Sequence, residues 1–185
     1  MDARARLLRQ YDRFENERKT LLDQLESHGA AALAHAPGPG AWSVAQIIMH
    51  LVMVEQSSLA YLLRKRELGG SSNAGSLSGL RLALLNMTLG LPLRFKAPPV
   101  VADVPECTHA EAVAAWGAVR VELQRALTAL PPAILHHGLF KHPIAGRFTP
   151  EEGLRFMSAH LRHHHGQIER TLTKVGAGSA ARTLV

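Results

Sequence analysis

The stretch SAHLRHHHGQIERTL (residues 158–172) is rich in histidine within a helical pattern. A helix turns by about 100° per residue, so His160 and His164 share one face, on a flank of its apolar stripe. Two imidazoles one turn apart can bind a single metal ion, as in helical zinc sites. The same spacing also arises in a histidine tract that is only solvated or partly packed, so both interpretations stay open. His163 is expected to face solvent and His165 to lie near the other flank.

A third candidate ligand is His50, within AQIIMHLVMVEQ (residues 45–56) on the flank of another apolar stripe. A lone histidine beside a core is usually a hydrogen-bonded residue, but helical bundles build their sites from such inward-facing side chains. Three neutral imidazoles would leave coordination positions open, which is typical of catalytic sites. Glu55 and Gln56 lie close by and are candidates to orient the ligands.

Helical periodicity predicts four long helices to position these residues. They are expected at about 3–28, 43–67, 108–130 and 149–174. Capping boxes are predicted at Ser43–Gln46, Thr108–Glu111 and Thr149–Glu152, the last with Pro150 at the first helical position. No segment alternates convincingly as a strand. The long connection between the second and third helices favours an all-α bundle with one crossover.

The chain of 185 residues is expected to form a single domain over 1–175, with a flexible tail at 176–185. Cys107 is the single cysteine, which excludes an intramolecular disulfide and fits a reducing cytoplasm. Residues 69–79 (GGSSNAGSLSG) have the composition of a flexible linker.

The distribution of charge and apolar residues limits the partners. The net charge is +6, but the basic residues are scattered and aromatic residues are few, so nucleic-acid binding is disfavoured. The charged N-terminus predicts no secretory signal. The apolar stretch 82–93 is too short to span a bilayer, which takes roughly 20 residues. It is expected to cover one end of the bundle or to supply a dimer surface.

Other residues have two interpretations each. Trp42 is predicted either to shape a pocket entrance or, more often for an aromatic before a capping box, to form a hydrophobic staple before the second helix. His142 is either an acid or base, or a residue that shapes its turn, which is the favoured reading. Gln167 either holds a ligand ring or water, or only packs. Gly146 is expected to serve backbone geometry, and Cys107 to be inert.

The sequence resembles the DinB superfamily (DinB/YfiT-like proteins). The resemblance rests on AWSVAQIIMHL (41–51), the turn HPIAGRFT (142–149), and HLRHHHGQI (160–168), with RFKAPP (94–99) similar to a subgroup's linker. It implies a four-helix bundle with a metal triad of His50, His160 and His164, binding zinc or nickel. It also implies a homodimer.

The resemblance further implies a function. Better-understood members resemble S-transferases that use a low-molecular-weight thiol such as bacillithiol or mycothiol, and others are regarded as metal-dependent hydrolases. The leading hypothesis is therefore a metal-dependent transferase or hydrolase acting on a small electrophile or thiol. Arg64, Lys65 and Arg66 are either contacts for a cofactor carboxylate or, the favoured reading, a solvated helix end. The alternative function is a non-catalytic metal- or ligand-binding bundle of a stress response.

Overall fold

The computed structural model describes residues 2–69, 73–89 and 103–183, with side chains to residue 176. The described part is mostly helical, which confirms the all-α prediction. The helices are α1 (Ala3–Leu25), α2 (Ala30–Ala34), α3 (Val44–Glu67), α4 (Ser78–Leu89), α5 (His109–Thr128) and α6 (Pro150–Thr183), with one 3-10 turn at Pro132–Ile134.

The starts of the long helices follow their capping residues. The boxes at Ser43–Gln46 and Thr108–Glu111 are both formed, so α3 and α5 begin where the sequence predicts. Glu152 closes the third box by accepting from the Thr149 backbone at 2.9 Å. These caps satisfy backbone N–H groups that have no partner inside a helix.

Helices α1 and α6 pack together and run in the same direction. Near their N-termini Arg6 lies 3.6 Å from Glu151, and further along Arg162 lies 2.6 Å from Glu17. These ion pairs are partly exposed and contribute little stability. The buried residues between the helices, among them Phe14, supply most of the apolar contact.

Helices α3 and α5 also run in the same direction. Gln46 donates to the Val104 carbonyl just before α5 begins, and further along both helices Glu55 pairs with Arg120. Tyr11 of α1 donates to the Arg120 carbonyl at 2.8 Å. Helix α3 packs against both α5 and α6, so it lies at the centre of the structure.

The turn HPIAGRFT contains a β-hairpin, so the prediction of no strands was wrong. Strand β1 (Phe140–His142) pairs antiparallel with β2 (Gly146–Phe148). Strands of this length are too short to show an alternating pattern in the sequence. Gly146 has φ +83°, which confirms its predicted backbone role.

From Asn73 onward, the predicted linker 69–79 takes part in regular structure. Asn73 forms a β-bridge with His137, and α4 already begins at Ser78. Helix α4 packs along α6 and β2, burying Leu82. Its opposite face is apolar and exposed at Leu77, Leu80, Leu84 and Met87. The RFKAPP stretch and residues 90–93 lie outside the described residues.

Helix α6 continues to Thr183 and does not end near Lys174 as predicted. Alanine and arginine in GAGSAART favour the helix, and they offset the glycines that suggested its end. The flexibility of 176–185 stays a prediction.

By length and composition one described helix, α3, could cross a membrane, with a mean hydropathy of 1.2 in its most apolar window. It packs against α5 and α6 and carries the buried Glu55. A central core helix of this kind passes the same test, so the observation is weak evidence for a membrane span.

Candidate metal centre

Helices α3 and α6 bring the three predicted histidines together. His50 lies on α3, and His160 and His164 lie one turn apart on α6. One ring nitrogen from each lies within 4.8 Å of the others, and His160 and His164 approach to 3.0 Å through their Nε2 atoms. Zinc–nitrogen bonds of about 2.0–2.1 Å would put ligand nitrogens roughly 3.0–3.4 Å apart. A small adjustment of His50 would therefore complete a three-nitrogen set.

Gln167 fixes the orientation of His164. Its Oε1 lies 2.8 Å from Nδ1 of His164, and an amide oxygen can only accept, so that Nδ1 carries the proton. Nε2 of His164 therefore presents its lone pair toward Nε2 of His160, which lies 3.0 Å away. Such a partner for the second ring nitrogen is what a histidine ligand requires. The reading of Gln167 as a residue that holds a ligand ring agrees with this contact.

Two of the three histidines, His160 and His164, are held neutral. Burial, followed by the neighbouring His50, lowers the pKa of His164 to about 3. Burial also lowers the pKa of His160 well below its usual value, with His164 and His50 adding to the effect. An imidazole must be neutral to bind a metal ion, so the site presents its lone pairs at neutral pH.

Aromatic rings enclose the cluster. The Trp42 ring lies 5.0 Å from that of His50 and also packs partly buried against the core, so its role in shaping a pocket stays a prediction. Phe156 stacks on His160 at 5.7 Å, and His142 meets Phe156 edge-on at 4.9 Å. The partly buried Trp42 and Phe156 thus give the histidine cluster an aromatic border.

His142 mainly shapes its turn, as the favoured reading predicted. Its Nδ1 accepts from the backbone N–H groups of Ile144 at 3.2 Å and Ala145 at 3.1 Å. Burial lowers its pKa, so the ring is neutral and carries its proton on Nε2. That Nε2–H is the hydrogen-bond donor that His142 can offer to a bound molecule.

Glu55 belongs to a different buried network. Its carboxylate accepts from Trp116 Nε1 at 2.9 Å and from Arg120 Nε and a terminal nitrogen at 2.6 and 3.0 Å. Five residues separate it from His50, which turns it roughly 140° around α3. Both oxygens are thus engaged with α5, so its predicted role in orienting the ligands gains no support from these contacts.

The neighbouring histidines have partners of their own. His163 does not face solvent as predicted: it is half-buried, and its Nδ1 lies 2.8 Å from the Leu89 carbonyl at the end of α4. The prediction failed because it took no account of α4, which covers that side of α6. His165 lies 3.7 Å from Glu169.

Three other candidates lie apart from the cluster. Arg64 and Lys65 lie over the Tyr61 ring near the end of α3, roughly 20 Å along the helix from His50, so the favoured reading of a charged helix end fits them. Burial and the Glu111 carboxylate raise the pKa of Cys107, which agrees with an inert thiol.

Sequence reasoning missed Phe156 and Arg120. Phe156 lies one turn before His160, so helical spacing could have placed it beside the ligands. Arg120 lies one turn after the buried Trp116 and just before Leu123, so it falls among core positions of α5. An arginine in such a position indicates a buried carboxylate partner.

The protein is mostly helical, and two of its helices bring three histidine nitrogens within 4.8 Å of one another. These features define a class of candidate metal-binding helical proteins. Residues 13–168 match the family model of the DinB superfamily. The chain belongs to the DinB superfamily, as the sequence motifs indicated. Comparisons with curated proteins and with solved structures give no significant match.

Proposed function

We propose that this protein is a divalent-metal-dependent enzyme of the thiol S-transferase or hydrolase type that uses His50, His160 and His164 as an open three-histidine site. One observation carries the proposal. One ring nitrogen from each histidine lies within 4.8 Å of the other two. The hydrogen bond to Gln167 keeps the proton of His164 on Nδ1, so its Nε2 lone pair is available to a metal ion. Imidazole donors suit zinc and nickel, which are the ions proposed here.

The donor set fits such an ion. All donors are uncharged nitrogens, and the set would leave coordination positions for a water or a thiol. A bound divalent ion would lower the pKa of that water or thiol toward neutrality and so supply a nucleophile.

The protein's own residues would prepare this chemistry. His160 would hold its single proton on Nδ1 so that its Nε2 could bind the ion, and Gln167 keeps the His164 proton on Nδ1 in the same way. Trp42 and Phe156 would exclude bulk water from the nucleophile. His142 holds a proton on Nε2 beyond Phe156 and is the candidate for donating a hydrogen bond to a bound substrate.

The proposal includes a fold and a setting. The shared direction of α3 and α5 supports a four-helix bundle of α1, α3, α5 and α6 with a crossover between α3 and α5.

We place the protein in the cytoplasm with a small electrophile or thiol as its partner, and without a nucleic-acid or membrane partner. The exposed apolar face of α4 is compatible with the expected homodimer. Light scattering tests the dimer.

Metal content tests the site directly. Tag-free protein incubated with zinc or nickel and then desalted should retain about one ion per chain, and His164→Ala should lose it. His165→Ala is the matched control, because its ring lies in the same tract but pairs with Glu169. A wild-type protein that stays metal-free with excess of both ions would refute the proposal.

Turnover separates the enzyme from the non-catalytic alternative. The loaded protein should accelerate reaction of a low-molecular-weight thiol with a model electrophile, or hydrolysis of an ester, and the acceleration should vanish in His164→Ala. Stoichiometric metal without either activity, across bacillithiol, mycothiol and simpler thiols, would favour the metal-binding stress-response protein.

A further inference from the structure

The two candidate ligands on α6 are supported in different ways. His164 has Gln167 as the hydrogen-bond partner of its Nδ1. The one hydrogen-bond contact found for His160 among the described residues joins its Nε2 to His164. When that Nε2 binds an ion, the Nδ1–H of His160 has no partner in the described part of the chain. Another contact must therefore orient His160, because the orientation of a ligand ring affects the metal affinity.

Phe156 packs against the face of the His160 ring. The two residues lie one turn apart on α6, with ring centroids 5.7 Å apart and planes inclined by 21°. Offset-stacked rings are favourable at centroid separations of about 4.5–7 Å. Rotation of the imidazole about its last side-chain bond would drive its edge into the Phe156 ring, so the stack favours one orientation.

The other ring contacts of His160 are with the two remaining candidate ligands. His164 meets it edge-on with centroids 4.5 Å apart, and the His50 ring lies at 5.4 Å. These two rings would themselves move when the three nitrogens close around an ion. Among the described residues, Phe156 is thus the ring neighbour of His160 that does not take part in binding.

The β-hairpin supports Phe156 from the other side of the contact. The His142 ring meets Phe156 edge-on, with centroids 4.9 Å apart and planes inclined by 71°. His142 is itself fixed, because its Nδ1 accepts from the backbone N–H groups of Ile144 and Ala145. Three rings therefore form a row from the turn of the hairpin to the candidate ligand.

A glycine on α6 lets the hairpin lie this close to the helix. A Cβ at Gly153 would lie 2.5 Å from the buried Phe140 ring of β1. Any larger residue there would push β1 away from α6. Gly153 precedes Phe156 by three residues, so the hairpin is seated on α6 directly before the row of rings begins.

We propose that Phe156 is the positioning residue for His160, and that the hairpin holds Phe156 in place through His142. The stacked ring does for His160 what the Gln167 amide does for His164. This inference rests on the proposed function, since it concerns how one ligand of the proposed metal site is oriented.

The first test uses NMR on metal-free protein. The wild type should show an NOE between the ring protons of His160 and His164. Phe156→Leu should weaken it about twofold or more, because the imidazole then occupies a second orientation about its last side-chain bond. Phe156→Tyr keeps the ring and should restore the NOE. The contact of His164 with Gln167 should persist in both variants and serves as the internal reference.

Zinc affinity, measured by competition with a chromophoric chelator, gives the second test. Phe156→Leu should weaken zinc binding about threefold to tenfold, which is the worth of one aromatic pair. In the His160→Ala background the same substitution should weaken it by less than about twofold, because the effect passes through His160. Tyr61→Leu is the matched control, since it removes a ring near the end of α3 and should leave zinc affinity unchanged.

The two tests separate the inference from the proposed function. If the protein binds no zinc but Phe156→Leu weakens the NOE, the positioning role stands and the metal site fails. An NOE that is unchanged in Phe156→Leu would overturn the inference. Equal losses of zinc affinity in the wild-type and His160→Ala backgrounds would also overturn it, because Phe156 would then act on the fold and not on His160.

Discussion

The buried pair of Glu55 and Arg120 makes the sharpest prediction about stability. Arg120 is 1% exposed and Glu55 3%, and their closest atoms lie 2.6 Å apart. The guanidinium also stacks on the Phe14 ring at 3.3 Å, and the carboxylate accepts from Trp116. Removal of either charge leaves the other buried without its main partner.

The expected magnitude follows from that burial. Arg120→Met should cost about 3–5 kcal/mol of unfolding free energy, because the Glu55 carboxylate keeps only its bond to Trp116. For a chain of this size, such a loss lowers Tm by roughly 6–20 °C. Combining it with Glu55→Leu removes both charges, so the double variant should be closer to wild type than the sum of the single variants.

Urea denaturation followed by circular dichroism measures this cycle. The control is Arg125→Met, which removes an exposed ion pair with Glu122 and should change stability by less than about 0.5–1 kcal/mol. If Arg120→Met costs less than about 1 kcal/mol, or if the single losses simply add, the buried network does not act as a pair and the reasoning is refuted.

Three further predictions test individual contacts. Gln167→Ala should weaken zinc affinity about 10–100-fold, because His164 loses its orienting partner. Competition with a chromophoric chelator measures the zinc affinity, and an unchanged affinity would contradict the role of Gln167. Ser158→Ala should raise the free energy of unfolding by about 1 kcal/mol, because the Ser158 hydroxyl is buried without a hydrogen bond to any described residue. A lower free energy of unfolding in urea denaturation would contradict this. Burial, then Glu15, raises the pKa of Tyr11 to about 12 from 10.0, so its contribution to stability is present below pH 10 and lost as pH rises to 12. Unfolding free energies measured over that range should fall less steeply for Tyr11→Phe.

The main helices could be predicted because their signals are local. Ser43–Gln46 and Thr108–Glu111 encode helix starts within four residues, and the apolar spacing that follows defines one buried face. The hairpin could not be predicted in this way. Its strands are too short for a period, and their pairing depends on contacts with α4 and α6.

The histidine cluster was predictable for a different reason. The i, i+4 spacing puts His160 and His164 on one face whatever the tertiary structure. His50 required knowledge that α3 faces α6, which the motifs of the superfamily supplied. The surroundings of the site were less accessible: nothing in the sequence tells that Glu55 turns toward α5 or that His163 meets α4. Such contacts depend on helix packing, which residue spacing alone does not determine.

The buried ion pair and the metal site share α3, and this gives the pair a role besides stability. A hydrophobic replacement could fill the same volume, so burial alone does not explain why α3 and α5 are joined by charges. Arg120 and Trp116 of α5 donate directional hydrogen bonds to Glu55 of α3. We expect these bonds to fix how far α3 is shifted along its axis relative to α5, and so where His50 lies relative to α6. The Glu55→Leu, Arg120→Met double variant should then regain much of its stability and still bind zinc about tenfold or more weakly than wild type. Chelator competition on that variant decides the matter, because wild-type zinc affinity would show that apolar packing alone positions His50.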